Sequence, residues 1–375
     1  MKISLLAENL QKKLLFLNHA VSQKSQLPIL LNFLIVAKKE GLFLSATDLE
    51  IGITTEVPAK IEETGTIIVP AKTFFEIIST QSFGKIRLEK KPEGVLLLGE
   101  KTNTLFQTNS QEDFPKLFEN KGVETMFVKK EDVEKDFSKI VFAASQDMGR
   151  PTLSGVLVKE SAKEGMVLAA TDGYRLSLKK NALKGSRKKS NEFSLIVPSR
   201  VIRELVFMSK EEGGEGVGVF VPKESNQIIF SQNETTLVGR LIEGEFPQFE
   251  KIIPQEFSTK VFFEKEDLQR AVKSCYVFAR ETAGVVKLSV GKGEITVSAN
   301  APSLGKNTVE VEAKTEGEEN EIAFNARYLL DLFAHLGDPS LVFEMTGPLS
   351  PGVFKIAQDN SFLHLIMPIR LQEPA

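Results

Sequence analysis

The chain contains one cysteine, no tryptophan and three tyrosines among its 375 residues. The single cysteine, Cys275, excludes an intramolecular disulfide, and one Cys with three scattered His is a poor ligand set for structural zinc. Proteins that hold single-stranded nucleic acid usually stack bases on exposed aromatic rings, so a chain this poor in Trp and Tyr is a weak candidate for that class. The 27 Phe are expected in the core.

Long apolar runs are also missing. No stretch reaches 18 consecutive apolar residues, and Glu8 interrupts the N-terminal run before it attains the length of a signal peptide. We therefore expect neither a membrane span nor export, and a reducing cytoplasm fits the single cysteine. The net charge of −3 argues against a protein that coats DNA, so any nucleic-acid surface must be local.

Three copies of one pattern are present instead. Residues 69–78 (Val-Pro-Ala-Lys-Thr-Phe-Phe-Glu-Ile-Ile) recur in weaker form at 197–206 and 323–332, with spacings of 128 residues from Pro70 to Pro198 and 127 from Pro198 to Asn325. A second marker, Leu-Ser-Ala-Thr-Asp at 44–48, recurs at 168–172 and 297–300. Two markers with one period indicate a repeat architecture, and we place the domains at residues 1–124, 125–254 and 255–375.

Each copy has the pattern of an α+β domain. An amphipathic helix opens the repeat, at 8–21, 131–144 and 264–278, and alternating strands follow it. A second helix is expected at 71–80, 199–210 and 326–335, and Pro70 and Pro198 directly precede the first two of these windows. The fold class predicted is two helices packed on antiparallel sheets, in three tandem copies.

These motifs resemble, in order along the whole chain, those of the bacterial DNA polymerase sliding clamps, the β subunits of the replicative polymerase. The matching segments are residues 27–30, 47–50, 69–72, 150–155, 171–176, 245–247 and 367–371. The resemblance implies a head-to-tail homodimer that closes into a ring, with helices lining the hole and sheets on the outside. It implies a processivity factor without catalysis or cofactor, which encircles duplex DNA independently of sequence.

The resemblance also implies two kinds of binding residue. Positions that face DNA in the family correspond here to Lys24, Lys72, Gln146, Arg150, Arg200 and Arg203. The peptide-binding groove of the family, between the second and third domains, corresponds to Leu153, Thr171, Gly173, Tyr174, Arg175, Leu176, Pro247, Ile252, Met367, Pro368, Ile369 and Arg370. Short linear peptides of the polymerase α subunit, the clamp loader, other polymerases and repair proteins would bind there.

The charge distribution agrees with a ring around DNA, although modestly. The six helical windows, with the second repeat's first window taken as 129–145 and the third's as 264–280, carry +4 together, which leaves −7 for the remainder. Like charges at Lys135 and Lys139, or at Arg200 and Arg203, cost helix stability, and contact with phosphate would explain them. A solvated helix face explains each of these cations equally well.

Other interpretations apply to parts of the groove. Residues 171–174 (Thr-Asp-Gly-Tyr) also fit a strand end and tight turn. Asp172 has counterparts in Asp48 and Asn300, which indicates a turn-capping role shared by all three copies, so we leave it out of the site. Two departures from the family are the tail 372–375, which could partly cover the groove, and residues 250–251 (Glu-Lys), where the family often has a basic residue.

Two other classes of function compete with a clamp. In a nucleic-acid enzyme, Asp48, Asp113 and Asp172 would bind metal, but they recur once per repeat and so would lie far apart, and no Walker-type phosphate loop is present. Cys275 is expected to be buried in a helix rather than nucleophilic. A scaffold that binds peptides but never DNA is the third class. Measuring whether the protein is retained on nicked circular DNA and lost from linear DNA distinguishes a clamp from such a scaffold.

Overall fold

The computed structural model describes residues 1–22, 26–82, 84–108, 114–147, 149–161, 164–183, 186–187, 193–210, 213–223 and 225–371. Its contacts divide the chain into two compact units. The first comprises the described residues of Met1–Glu134, Gly185–Ser190 and Arg200–Leu241, and the second those of Lys135–Lys184, Asn191–Ser199 and Ile242–Ala375. Within this described part of the chain, no helix is both long enough and apolar enough to cross a membrane.

The described residues form six α-helices, which begin close to the predicted positions. They are α1 Ala7–Leu17, α2 Ala71–Ser79, α3 Lys130–Asp132, α4 Ser199–Ser209, α5 Lys265–Ala279 and α6 Ala326–His335. Short 3-10 helices cover Asn18–Ala20, Pro28–Leu31, Val141–Ala143, Pro151–Leu153 and Phe249–Ile252. Pro70 is the N-cap of α2, where its missing N–H costs no intrahelical hydrogen bond.

The prediction of one continuous helix over 131–144 is wrong. After the single turn of α3, residues Val133–Phe137 form a π-helix, and the chain then turns before the 3-10 segment Val141–Ala143. Asp136 is buried in this stretch and accepts a hydrogen bond from the backbone N of Leu183 at 2.8 Å. A widened turn is what allows this carboxylate to reach inward.

Lys139 was expected on a solvated or phosphate-facing helix surface, and that expectation is also wrong. Its side chain is 8% exposed, and its Nζ lies 2.7 Å from the carboxylate of Asp338. A buried cation needs such a partner, because the protein interior solvates charge poorly. The Lys135/Lys139 pair therefore gives no indication of a DNA-facing surface.

The first fourteen strands run from the N-terminus into the second repeat. They are β1 Lys2–Leu6, β2 Asn32–Ala37, β3 Leu42–Thr47, β4 Ile51–Val57, β5 Ala59–Glu63, β6 Gly65–Pro70, β7 Lys85–Lys91, β8 Gly94–Leu98, β9 Asn103–Phe106, β10 Glu124–Lys129, β11 Gly155–Ser161, β12 Gly165–Thr171, β13 Arg175–Lys179 and β14 Ser186–Arg187.

The remaining thirteen strands complete the second repeat and build the third. They are β15 Phe193–Pro198, β16 Gly216–Phe220, β17 Gln227–Gln232, β18 Thr235–Arg240, β19 Thr259–Glu264, β20 Val285–Gly291, β21 Glu294–Ala301, β22 Gly305–Glu312, β23 Lys314–Gly317, β24 Asn320–Asn325, β25 Ser340–Met345, β26 Gly352–Ile356 and β27 Asp359–Ile366.

The described strands form four antiparallel sheets whose order repeats every nine strands. The first unit holds β5-β1-β7-β8-β9 and the nine-stranded β14-β10-β16-β17-β18-β4-β3-β2-β6. The second unit holds the nine-stranded β15-β11-β12-β13-β27-β26-β25-β19-β23 and β22-β21-β20-β24. Each nine-stranded sheet thus joins a five-stranded half to a four-stranded half, through β18 and β4 or through β27 and β13.

The expectation that the Phe residues lie in the core is confirmed for many of them but not for all, since Phe207 is 38% exposed. Phe33 and Phe74 are fully buried in the first unit, and Phe324, Phe343 and Phe354 pack edge to face or stacked in the second. Large rings bury more apolar area than other side chains, which accounts for the abundance of Phe in a chain without Trp.

Candidate functional site

The turn between β12 and β13 is held by side-chain hydrogen bonds. Thr171 Oγ1 donates to the carbonyl of Arg175 at 2.6 Å and accepts from Gly173 N at 3.0 Å. Asp172 Oδ1 accepts from the backbone N of both Tyr174 and Arg175. Gly173 has a φ of +92°, in the region that favours glycine. The turn therefore presents Tyr174 outward, with its side chain 57% exposed.

The first repeat builds the same turn between β3 and β4. Thr47 Oγ1 donates to the carbonyl of Ile51 at 2.7 Å, and Asp48 Oδ1 accepts from the backbone N of Glu50 and Ile51. The turn-capping role expected of Asp48 and Asp172 is confirmed. For the third copy the expectation is wrong, because Asn300 lies inside β21, before the turn to β22.

Arg175 lies beneath this turn rather than at the surface. Its side chain is 10% exposed, and its guanidinium donates to Asp172 Oδ2 at 3.0 Å and to Asp331 Oδ2 at 2.7 Å. A third donor reaches the carbonyl of Phe142, and the group lies 4.7 Å from the ring centroid of Tyr328. Charge pairing and ring contact together fix the side chain. Burial raises the pKa of Tyr328.

The C-terminal stretch continues β27 along the same turn. Met367 N donates to the carbonyl of Tyr174 at 2.8 Å, and Ile369 N donates to the carbonyl of Ala323. Met367 is 37% exposed, whereas Pro368 and Ile369 are half-buried and Arg370 is exposed. The structure thus brings together Tyr174 and Met367, which were assigned to the groove from separate parts of the sequence.

An apolar cluster supports these residues from below. Leu176 and Leu365 face each other across β13 and β27, and both are fully buried. They pack in one cluster with Phe249, against which Ile253 and Phe257 are packed. Of the residues predicted for a groove, Leu176 and Thr171 are therefore buried supports of the turn, while Ile252 and Pro247 are exposed and Leu153 is half-buried.

The sequence did not identify part of this region. Phe249, Ile253, Phe257 and Leu363 line a cavity of about 300 Å³ with Lys180 and Lys355 at its walls. The available signal was the spacing of Phe249, Ile253 and Phe257 at intervals of four residues directly after the Phe-Pro motif at 246–247. Asp331 and Tyr328, which contact Arg175, were also missed, although both lie within the third copy of the helix-start marker at 323–332.

The residues assigned to DNA contact have differing environments. In the first unit, Lys72 is exposed in the first turn of α2, and Arg203 is exposed on α4. Arg200 forms an ion pair with Asp48 and donates to the carbonyl of His19 at 2.9 Å. Its charge is therefore largely compensated within the chain.

The remaining members of that set lie elsewhere. Gln146 and Arg150 are exposed in the second unit, and Arg150 Nε is 3.8 Å from Asp147. Lys24 lies outside the described residues, as do Asp113 and the tail 372–375.

The described residues contain no group of three His, Cys, Asp or Glu side chains placed to hold a metal ion. Asp48 and Asp172 are occupied in their turns, as described above. Cys275 is buried on α5, as expected, and burial raises the pKa of its thiol to about 11. A thiol that stays protonated at neutral pH is a poor nucleophile.

Comparison with known proteins gives one consistent result. The chain matches the family models of the DNA polymerase III beta subunit for the N-terminal domain at residues 1–118, the central domain at 127–248 and the C-terminal domain at 250–370. A beta sliding clamp of Chlamydia muridarum is 28% identical over 367 residues, which cover 97% of each protein. One of Synechocystis is 27% identical, with 99% of this chain and 100% of the relative covered.

Solved structures agree in fold. A DNA polymerase sliding clamp from Bacillus subtilis has a TM-score of 0.93 at 25% identity, covering 99% of this chain and 100% of its own. A sliding clamp of Pseudomonas aeruginosa bound to griselimycin has a TM-score of 0.92 at 25% identity, with the same coverage.

Proposed function

Because this chain belongs to the family of the DNA polymerase III beta subunit, the bacterial sliding clamps, we propose that two copies close head to tail into a ring around duplex DNA. Its function is that of a sliding clamp, a processivity factor rather than an enzyme, and the family implies contact with DNA and with polymerase or other partner proteins. In the proposal, residues 1–124, 125–254 and 255–375 are three clamp domains, and the ring works in the cytoplasm.

The observation that carries the proposal is the strand order of the two smaller sheets. The five-stranded sheet that ends at β9 has the same strand order as the five-stranded halves that end at β18 and at β27. The four-stranded sheet that begins at β22 has the same order as the four-stranded halves that begin at β4 and at β13. Pairing β9 of one copy with β22 of the next would complete a nine-stranded sheet. Such pairing also covers two strand edges that would otherwise invite aggregation.

Helix contacts support the same closure. His19, Phe142 and Val277 each lie thirteen residues after the N-cap of the first helix in their repeat. His19 contacts Glu204 and Phe207 of α4, and Phe142 stacks on His335 of α6 at 4.5 Å. Val277 is 48% exposed. In the ring it would meet α2 of the other copy.

DNA would be held by topology rather than by tight binding. In the proposal Lys24, Lys72, Gln146, Arg150, Arg200 and Arg203 face the duplex, and their contacts go to phosphates, which carry no sequence information. The compensation of Arg200 by Asp48 favours weak contact, which suits sliding. Such contacts weaken as salt rises, whereas encirclement does not.

The groove around Tyr174 and Met367 would recruit partners. Its residues are the twelve named from the resemblance, with Arg175, Leu176 and Thr171 as supports. The polymerase α subunit, the clamp loader, other polymerases and repair proteins would each insert apolar side chains of a short linear peptide. Met367 suits several ligands because its side chain adapts in shape.

Retention on DNA tests the ring. The protein is loaded on nicked circular DNA and on linear DNA of the same sequence, and the bound fraction is followed at low and at high salt. We expect retention on the circle at both salt concentrations and rapid loss from the linear DNA through its ends. Equal loss from both forms would refute the ring and favour the peptide-binding scaffold.

A further inference from the structure

The first unit contains a large cleft to which the proposed function assigns no role. Its volume is about 800 Å³, and it lies beside the junction of β4 and β18. Three groups of residues form its walls, from the turn at 47–52, from the stretch 115–122, and from 222–223 with 225–227. All of them belong to the first unit.

This cleft stands in the first repeat where the groove stands in the second. Gly52 is opposite Val238 across the β4–β18 junction, as Leu176 is opposite Leu365 across the β13–β27 junction. Two residues further along, Arg240 takes the place of Met367. The hydrogen-bonded turn at Thr47 corresponds to the turn at Thr171, and Leu49, with a φ of +78°, takes the place of Gly173.

The walls of the cleft are fixed by specific contacts. Leu117 packs so closely on Gly52 that a Cβ there would lie 2.6 Å from Leu117 Cδ2. Gln227 Nε2 donates to the carbonyl of Leu117 at 3.0 Å. A preformed cleft binds a ligand with little ordering cost to the protein.

The chemistry of the cleft differs from that of the groove. Lys116, Lys223 and Arg240 are exposed at its walls and form no side-chain ion pair with any residue that the structure describes. The walls also carry two acids, Glu50 and Glu119, so the three cations exceed the acids by one; Glu50 lies 3.8 Å from Arg200, whose guanidinium also pairs with Asp48. The apolar side chain of Leu49 is 51% exposed beside these cations. The surface therefore complements a ligand that combines carboxylates with an apolar group.

We propose that this cleft is a second docking site, which binds a short linear peptide of another protein with an apolar anchor flanked by acidic residues. The choice of a peptide rests on the proposed role of the groove, because the two sites share one backbone design. The preference for acidic flanks rests on the three cations. A clamp subunit would then hold two different peptides at once.

Binding of a defined probe tests the proposal. The probe is a fluorescein-labelled hexapeptide with two central leucines and four flanking aspartates, and fluorescence anisotropy is measured on the Tyr174→Ala protein, in which binding to the groove is weakened. We expect saturable binding, weakened at least tenfold by the double substitution Lys223→Glu and Arg240→Glu. The matched reversal of two exposed lysines outside the cleft, Lys39→Glu with Lys101→Glu, should change affinity less than twofold.

Two further arms keep the outcome decisive. The same peptide with asparagine in place of aspartate should bind at least tenfold more weakly. If circular dichroism shows that the Lys223→Glu and Arg240→Glu protein has lost its fold, Leu49→Asp is used in its place. No binding to the Tyr174→Ala protein, no effect of the cleft substitutions, or equal binding of the asparagine peptide would each overturn the proposal. Retention on circular DNA would be unaffected by any of these results, so the ring is tested separately.

Discussion

Tyr174 combines an exposed ring with a backbone that is fixed on both sides. Its N–H donates to Asp172 Oδ1 at 2.9 Å, and its carbonyl accepts from Met367 N at 2.8 Å. More than half of the side chain is accessible. An aromatic side chain on an ordered backbone loses little freedom when a ligand covers it, and such residues often dominate binding energy.

The substitution Tyr174→Ala should weaken binding of a peptide from the polymerase α subunit by about 30-fold, corresponding to roughly 2 kcal/mol. The mass of the dimer should not change. Leu349→Ala is the matched control, because Leu349 is 65% exposed on another turn of the same unit. Calorimetric titration gives the affinities and light scattering the mass. A protein that dissociates on substitution would identify Tyr174 as structural.

The residues around Tyr174 also mark a limit of sequence-based prediction. The resemblance assigned Arg175 to the proposed groove, but one of its acidic partners, Asp331, is 156 residues away along the chain. Burial between two carboxylates and two rings is a property of the tertiary fold, which local spacing does not encode. Arg175 consequently stiffens the turn, and Arg370 remains the exposed guanidinium among the groove residues.

Among the elements, the bounds of the second helix of each repeat, α2, α4 and α6, were predicted closely. The first helix of the second repeat, expected over 131–144, was not. Local signals start α2, α4 and α6, where a proline or an asparagine N-cap precedes an apolar helical pattern. The apolar spacing of 131–144 is just as regular. In the structure Asp136 and Lys139 contact distant segments, at Leu183 N and at the partly exposed carboxylate of Asp338, and tertiary contacts of this kind override local propensity.

Helix α5 offers the sharpest test of the proposed closure. Val277→Arg places a charge where the repeat predicts a contact with α2 of the other copy, and burying an unpaired charge is costly. We expect the dimer dissociation constant to rise at least 100-fold, measured by sedimentation. Val123→Arg makes the same change at a side chain that is 83% exposed and should leave the dimer intact. A Val277→Arg protein that stays dimeric at nanomolar concentration contradicts the closure.

At the scale of the whole molecule, the proposed contact joins two different surfaces. One is the five-stranded sheet that ends at β9, and the other is the four-stranded sheet that begins at β22. A head-to-tail contact of this kind forms a closed ring or an open chain, depending on the rotation between copies. The sequence revealed the threefold repeat but not which strands meet, because register and strand order arise from pairing across the sheet.

Mixing two damaged proteins distinguishes this head-to-tail contact from a symmetric one. Leu105→Arg impairs the β9 surface and Val277→Arg the opposite one, so each protein alone should be monomeric. A mixture should form dimers through its one intact pair of surfaces, yet these dimers should slip from nicked circular DNA because the second seam stays open. Full retention of the mixture on circles would show that the contact is not head to tail.

The burial of Cys275 has a practical consequence for observing such a ring. Because the chain has one thiol and that thiol is shielded and protonated, a cysteine introduced at an exposed position would react selectively with a spin or fluorescent label. Each subunit would carry one probe at a known place, and the distance between the two probes would report directly on opening and closing of the seams in solution.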